Sequence, residues 1–227
     1  IFLGPRILSD FDRAIRLEWI VTNGLGGYSS STALGINTRK YHGTLVVALE
    51  PPLKRHLLLS KINEEISIGS DMYQFYSDEF RDLIYPEGHK RLKGFCLNPF
   101  PTYYYASSGV YLEKRIIMPH LKNMVIIRYE VTNTLNDSAV LRIKPLVNSR
   151  HFYDVTNRVE RQVEFTQKPI LSGTIVEAKP QKKSLTLTST DGRYSPENSV
   201  WIEKMYFRVD DSRGESCLDD NYQPGSF

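Results

Sequence analysis

The chain has 227 residues, of which 41% are hydrophobic and 24% charged, and its formal net charge is +3. That balance supports a globular domain with its own core, and so small a charge, with no long run of Lys or Arg, leaves no electrostatic footprint for nucleic acid. No apolar run approaches the ~20 residues of a membrane span and no signal peptide is recognisable, so neither a membrane partner nor secretion is expected; with only Cys96 and Cys217 present, reduced thiols and a cytoplasmic location are the expectation.

In chain order, residues 10–17 carry a short, weak helical pattern. Strand patterns follow. Apolar runs at 46–49 and 56–59 are bracketed by Gly43 and by Pro51-Pro52. Apolar and polar residues alternate at 111–117, 125–131 and 140–146, and again at 173–177, 184–188 and 200–203. Such period-two patterning buries one face of a strand and wets the other. Turn signals at 133–138, 179–181 and 191–192 separate the runs. Roughly twelve to fourteen strand candidates result, without repeats or sustained helical periodicity, which predicts an all-β fold: a large antiparallel two-sheet sandwich. From Asp210 onward the chain is acidic, turn-rich and poor in apolar residues. The pattern therefore predicts a sandwich domain over 1–209 and, over 210–227, a linker or docking segment leading toward a C-terminal domain.

The densest cluster of glycine and polar residues starts at Glu18. Gly24, Gly26 and Gly27 look like a phosphate-cradling loop. However, the residues that follow, Tyr28-Ser29-Ser30-Ser31-Thr32, suit a strand rather than the helix such a loop needs, and no P-loop lysine follows. What remains is a tight, glycine-permitted loop. Asn23 and Tyr28 on that loop, with Asn37, Arg39, Tyr41 and His42 beyond it, supply donors, acceptors and flat rings suited to a hydroxyl-rich ligand. The structural alternative is a loop whose polar groups satisfy one another.

Glu18-Trp19-x-x-Thr22-Asn23-Gly24-Leu25-Gly26-Gly27-Tyr28, followed by Thr38-Arg39-Lys40-Tyr41-His42-Gly43, resembles the N-terminal domain of archaeal and bacterial glycogen debranching enzymes. In that family the chain continues into an (α/α)6-barrel amylo-α-1,6-glucosidase domain. The likeness extends to Leu58-Leu59-Ser60-Lys61 with Glu64, to 109–114, to 145–150 and to 213–225, where the family's linker begins. It departs at Arg150-His151-Phe152-Tyr153, where the family usually has an Arg-Asp-His-like stretch, and at Ser29-Ser30-Ser31, where Ala-Ser-Gly is more usual. The resemblance implies a supersandwich like the glucoamylase N-domain. It also implies a non-catalytic, glucan-binding or scaffolding part of an enzyme that hydrolyses α-1,6 branch points. Its partners would be the barrel domain of the same polypeptide and glycogen or maltooligosaccharide, with no cofactor. Asn23, Gly24, Gly26, Gly27, Tyr28, Asn37, Arg39, Tyr41 and His42 would face sugar or barrel. A self-sufficient carbohydrate-binding module and a purely structural β domain are the alternatives.

A glycosidase needs two carboxyl groups, about 5–5.5 Å apart for retention or about 6.5–9.5 Å for inversion. Glu18, Glu64, Glu65, Asp78, Glu79, Asp82, Glu87 and Asp154 offer no evident pair. Glu64 and Glu65 point to opposite faces of a strand, and Asp78, Glu79 and Asp82 read as surface charge. No catalytic residue is nominated, consistent with a resemblance that places the catalytic acids in the barrel. None of the five histidines has metal-ligand spacing, so no metal site is expected. The aromatic run Phe95, Phe100, Tyr103, Tyr104 and Tyr105 could stack on sugar, but a strand dividing its rings between core and surface is the preferred reading.

Overall fold

The computed structural model describes residues 1–227. The chain begins with β1 (Phe2–Leu3) and two single helical turns, α1 (Pro5–Leu8) and α2 (Phe11–Ala14). The Asp10 carboxylate starts α2 by accepting a hydrogen bond from Arg13 N at 3.2 Å. Next come β2 (Glu18–Thr22), β3 (Tyr28–Thr32), β4 (Gly43–Glu50), β5 (Leu53–Ile68), β6 (Asp71–Gln74), β7 (Asp78–Phe80) and β8 (Leu83–Tyr85). The chain continues through β9 (Leu92–Leu97), β10 (Pro101–Ser107), β11 (Val110–Ile117), β12 (Ile126–Asn133) and β13 (Ala139–His151). It ends with β14 (Glu164–Ile170), β15 (Gly173–Lys179), β16 (Lys183–Thr188), β17 (Val200–Tyr206), the helical turn α3 (Arg208–Asp211) and β18 (Leu218–Gln223). These strands outnumber the roughly twelve to fourteen legible in the pattern because β1, β6, β7 and β8 are too short to show a period.

The chain is all-β, as the alternation predicts, and its antiparallel sheets do not close into a barrel. One sheet has the order β17-β18-β13-β5-β4-β3-β2, with β6 also pairing to β5; the other runs β1-β9-β10-β11-β12. A three-stranded sheet, β14-β15-β16, and the β7-β8 hairpin complete the fold. Trp19, Leu34, Ile36, Ile66 and Phe75 pack against Phe95, Tyr103, Tyr105, Val110 and Leu112 to form the main core between the two large sheets. Each such side chain contributes about 1.5–3 kcal/mol on burial. A second cluster, including Leu45, Val47, Leu59 and Val147, joins the larger sheet to Val176 and Leu187 of the three-stranded one.

Polar groups also cross the sandwich. Lys114 lies in the inward row of β11, where its Nζ meets Glu64 Oε1 at 2.6 Å, and Tyr129 Oη donates to the same oxygen at 2.6 Å. Tyr103 Oη donates to Thr32 O at 2.8 Å and accepts from Trp19 Nε1 at 2.6 Å. Phe95, Tyr103 and Tyr105 are therefore core residues, while Tyr104 and Phe100 are half-buried.

Two expectations are corrected. Asp78 and Glu79 are buried rather than surface charges: Asp78 accepts from Lys61 Nζ at 2.7 Å and Asn63 Nδ2 at 2.8 Å, and Glu79 accepts from Arg208 Nε at 2.8 Å. Asp82 does lie on the surface. Residues 210–227 are not a loose linker either. β18 is an interior strand between β13 and β17, and Asp210, Asp219 and Asn221 within the segment are fully buried. Its acidic composition looked solvated because the groups that neutralise it lie far away in sequence.

A chain truncated after Val209 loses the strand that connects β17 to the rest of its sheet. It should lose its near-UV circular dichroism and become sensitive to limited proteolysis under native conditions. An unchanged spectrum and an unchanged urea midpoint would show that 210–227 is a dispensable strap.

Candidate functional site

The β2–β3 connection is organised by one amide. Asn23 Oδ1 accepts from Leu25 N at 2.9 Å and Gly27 N at 3.1 Å, while Nδ2 donates to Lys122 O at 2.9 Å and Asn123 Oδ1 at 3.2 Å. Asn23 O accepts from Leu121 N at 2.7 Å. Gly24 has φ +78 and Gly26 has φ +93, the left-handed region open to glycine. Space excludes side chains as well, since a Cβ on Gly26 would lie 2.6 Å from Pro52 O. Arg55 Nε donates to Gly26 O at 2.9 Å. The loop is thus clamped between the β4–β5 turn and the segment that follows β11.

The second half of the motif is anchored in the same way. Asn37 Oδ1 accepts from Ser31 Oγ at 2.8 Å, and its Nδ2 donates to Ser60 O at 3.1 Å. Thr38 N donates to His42 Nδ1 at 3.1 Å, and Tyr28 Oη donates to Tyr41 O at 2.6 Å. Burial, then the nearby Arg39 guanidinium, pushes His42 down to about 3, so the ring is neutral. Burial likewise raises Tyr28 and keeps its hydroxyl protonated. Asn23, Gly27, Tyr28, Asn37 and His42 are all buried and serve the loop's own architecture, whereas Gly24 is exposed and Gly26, Arg39 and Tyr41 are partly so.

Tyr41 meets a residue the motif did not suggest. Its ring stacks on that of Tyr153, with centroids 6.1 Å apart and planes at 12°. Tyr153 is 49% exposed. Arg39 Nη1 and Arg213 Nη1 donate to Tyr41 Oη at 3.0 and 3.2 Å, and Arg39 Nε also meets Glu18 Oε1 at 2.6 Å. Lys40 Nζ sits 4.3 Å from the Tyr153 ring centroid and 2.7 Å from Glu215 Oε2. The two rings thus turn toward each other, with the Arg39 guanidinium 5.7 Å from the Tyr41 ring centroid and Lys40 at Tyr153.

Underneath, Arg150 Nη2 donates to Asp219 Oδ2 at 3.0 Å and to Lys40 O at 2.8 Å. Asp219 Oδ1 also accepts from Thr156 N at 2.7 Å. Burial raises the Asp219 carboxyl, and Arg150 opposes that rise. Tyr153, Arg150, Asp219, Arg213 and Glu215 were all missed as site residues by sequence reasoning. The signals near them were the family likeness over 145–150 and 213–225 and the departure at 150–153.

Aromatic faces accept the C–H surface of a pyranose, and the charged rim offers hydrogen bonds to its hydroxyls. Glu18 and Glu215 at this rim are each held by a cation, Arg39 and Lys40 respectively. Nowhere do three His, Cys, Asp or Glu side chains converge as a metal cage would require.

Compared with known proteins, residues 17–227 match the family model described as "Glycogen debranching enzyme N terminal". No curated protein and no solved structure matches the chain.

Asn23→Ala strips two backbone N–H groups of their acceptor and should lower stability by about 2–4 kcal/mol in urea unfolding; a loss under about 0.5 kcal/mol would mean the amide does not organise the loop. His42 gives a pH dependence. The unfolded imidazole protonates near 6.5 and the folded one near 3, so the unfolded chain binds more protons between those values. Stability is fully present above pH 6.5 and is lost as pH falls toward 3. His42→Asn keeps an acceptor for Thr38 N, and the drop in urea midpoint from pH 7 to pH 5 should be smaller in this variant than in the parent. An equal drop would exclude His42 as its source.

Proposed function

Because the chain belongs to the glycogen debranching enzyme N-terminal domain family, we propose that it acts as a non-catalytic domain that holds glucan and braces a catalytic domain. Family membership implies a larger multidomain enzyme, and the partner in this reading is an (α/α)6-barrel domain of the same polypeptide.

The observation that carries the glucan part is the Tyr41–Tyr153 platform. Arg39 and Tyr41 are its sugar-facing groups, with Tyr153 beside them. The pair offers the exposed part of the Tyr153 ring, and Arg39, Arg213, Glu18 and Glu215 place polar groups around it. Asn23, Gly27, Tyr28, Asn37 and His42 hold that surface from below. A rigid face binds with little loss of conformational entropy.

The scaffolding part rests on the clamped loop. Gly24 and the neighbouring Leu121 are exposed on an edge that Asn23 makes stiff, beside exposed Leu53 and Met124. We assign this edge, with Gly24 and Gly26, to the contact with the barrel. The free thiols Cys96 and Cys217 suit a reducing compartment, which supports a cytoplasmic location.

Co-sedimentation of the chain with glycogen tests the glucan reading. The parent should pellet with the polysaccharide, and Tyr41→Ala should weaken binding about tenfold, equivalent to about 1.4 kcal/mol for one lost stacking face. The same preparation should release no glucose from a branched dextrin. A parent that stays in the supernatant, a Tyr41→Ala variant that binds equally well, or glucose release would overturn the proposal.

A further inference from the structure

The five-stranded sheet ends in β12, whose outer edge has no strand beside it. Thr134 N donates to Gly109 O at 3.0 Å, directly across the β11–β12 ladder. The register is unbroken from Ile117↔Ile126 to Val110↔Asn133, so this bond fixes the alternation. Ile126, Arg128, Glu130 and Thr132 give their backbone groups to β11. The N–H and C=O groups of Ile127, Tyr129 and Val131 point away from the sheet, and no loop or terminus supplies them with a backbone partner. Proteins commonly blunt such an edge with a proline, a bulge or extreme shortness. Here β14 carries Pro169, the β17–β18 register is broken between Ile202 and Met205, and β1 has two residues. The eight residues of β12 show none of these devices.

The outer row of side chains selects the occupant. Ile126, Arg128, Glu130 and Thr132 are exposed on that face. The neighbouring strand offers the charged members the wrong partners: Glu130 stands opposite Glu113 and Arg128 opposite Arg115. Like charges directly opposite are destabilising. Arg128 Nη2 and Glu130 Oε2 meet at 3.3 Å, but both side chains are 61% exposed, and a pair so exposed contributes little. An antiparallel second β12, related by a two-fold axis through Tyr129, supplies what β11 does not. Arg128 then lies opposite Glu130 of the second copy, and Glu130 opposite its Arg128. Ile127 lies opposite Val131, and Tyr129 opposite its own copy. The residues with outward backbone groups become the hydrogen-bonded pairs. The charged residues take the intervening positions, where side chains approach more closely.

We propose that this edge is a self-association surface, on which two copies of the chain join β12 to β12 about Tyr129 and merge their five-stranded sheets into one. The occupant is a second copy because the row Arg128-Tyr129-Glu130 is complementary to its own reverse. The contact uses neither the Tyr41–Tyr153 pair nor the glycine-rich loop, and it is independent of the glucan reading. One strand pair is a small interface, so the dimer dissociates on dilution.

Sedimentation velocity at chain concentrations up to about 1 mM tests this. The parent should pass from monomer to dimer across the range. Glu130→Arg and Arg128→Glu should each weaken dimerisation about tenfold or more, since each sets like charges opposite one another on both sides of the axis. Arg128→Glu combined with Glu130→Arg restores the complement and should dimerise within about twofold of the parent. The urea midpoints of the single variants should not fall, because the new side chains face Glu113 and Arg115 respectively; a lost contact is thereby distinguished from a damaged fold. A parent that stays monomeric throughout, a dimer that both single variants leave unchanged, or a double variant no better than the single ones would overturn the proposal. The double variant decides even if one single variant folds poorly.

Discussion

A guanidinium and a carboxylate meet inside this protein, and the candidate site hangs on their contact. Arg150 and Asp219 have side chains 4% and 0% exposed. Such a pair is tolerable only when its remaining donors and acceptors are also used, and most of them are. Asp219 takes hydrogen bonds from Thr156 N, Arg150 and Asn221 Nδ2, and Arg150 also reaches Lys40 O. One pair thereby fixes β13 against β18, holds Lys40 and so aims Tyr41, and starts the loop that presents Tyr153. The position of the ring pair is inherited from a contact that does not itself reach the surface.

The main sandwich uses the same device. Glu64 of β5 meets Lys114 of β11 and Tyr129 of β12 across the gap between the sheets. On the next residue the side chain turns the other way, and Glu65 pairs with Lys144 at 2.7 Å. Apolar contacts tolerate sliding, but a buried charge left without its partner is strongly destabilising. A one-residue slip of β5 would exchange the surroundings of Glu64 and Glu65 and strand both. The hydrophobic clusters supply most of the drive to collapse, and these ionic contacts select a single register.

This division explains what could be read from the sequence. β11 buries alternate residues, so its period was plain, and the two-sheet architecture followed from strands of that kind. The middle of β5 is buried continuously from His56 to Ile66, because both of its faces are covered, so only its first apolar stretch stood out. Asp78, Glu79 and Asp219 read as solvent-facing for one physical reason. A carboxylate looks exposed until its cation is known, and Lys61, Arg208 and Arg150 are distant in the chain. The glycine-rich motif was conspicuous, yet most of its polar side chains point at protein. Asn23 answers Leu25 N and Gly27 N, Asn37 answers Ser31 and Ser60, and His42 answers Thr38 N. Residue types alone do not distinguish a side chain that binds a ligand from one that binds its own backbone. Tyr153 stood out in the sequence only as part of the departure at 150–153, and it gains meaning only beside Tyr41.

The position of β18 also bears on how the domain is made. A ribosome delivers Arg150 well before Asp219, which lies 69 positions later. During that interval the growing chain holds an unneutralised guanidinium at a half-built sheet edge, and β17 has no strand to join. Long-range pairings of this kind close slowly, and an open edge invites pairing with another chain. The domain therefore emerges in a state that depends on its last-made strand for completion, and a delay in translation near that strand would prolong the time in which association with other nascent chains competes with folding.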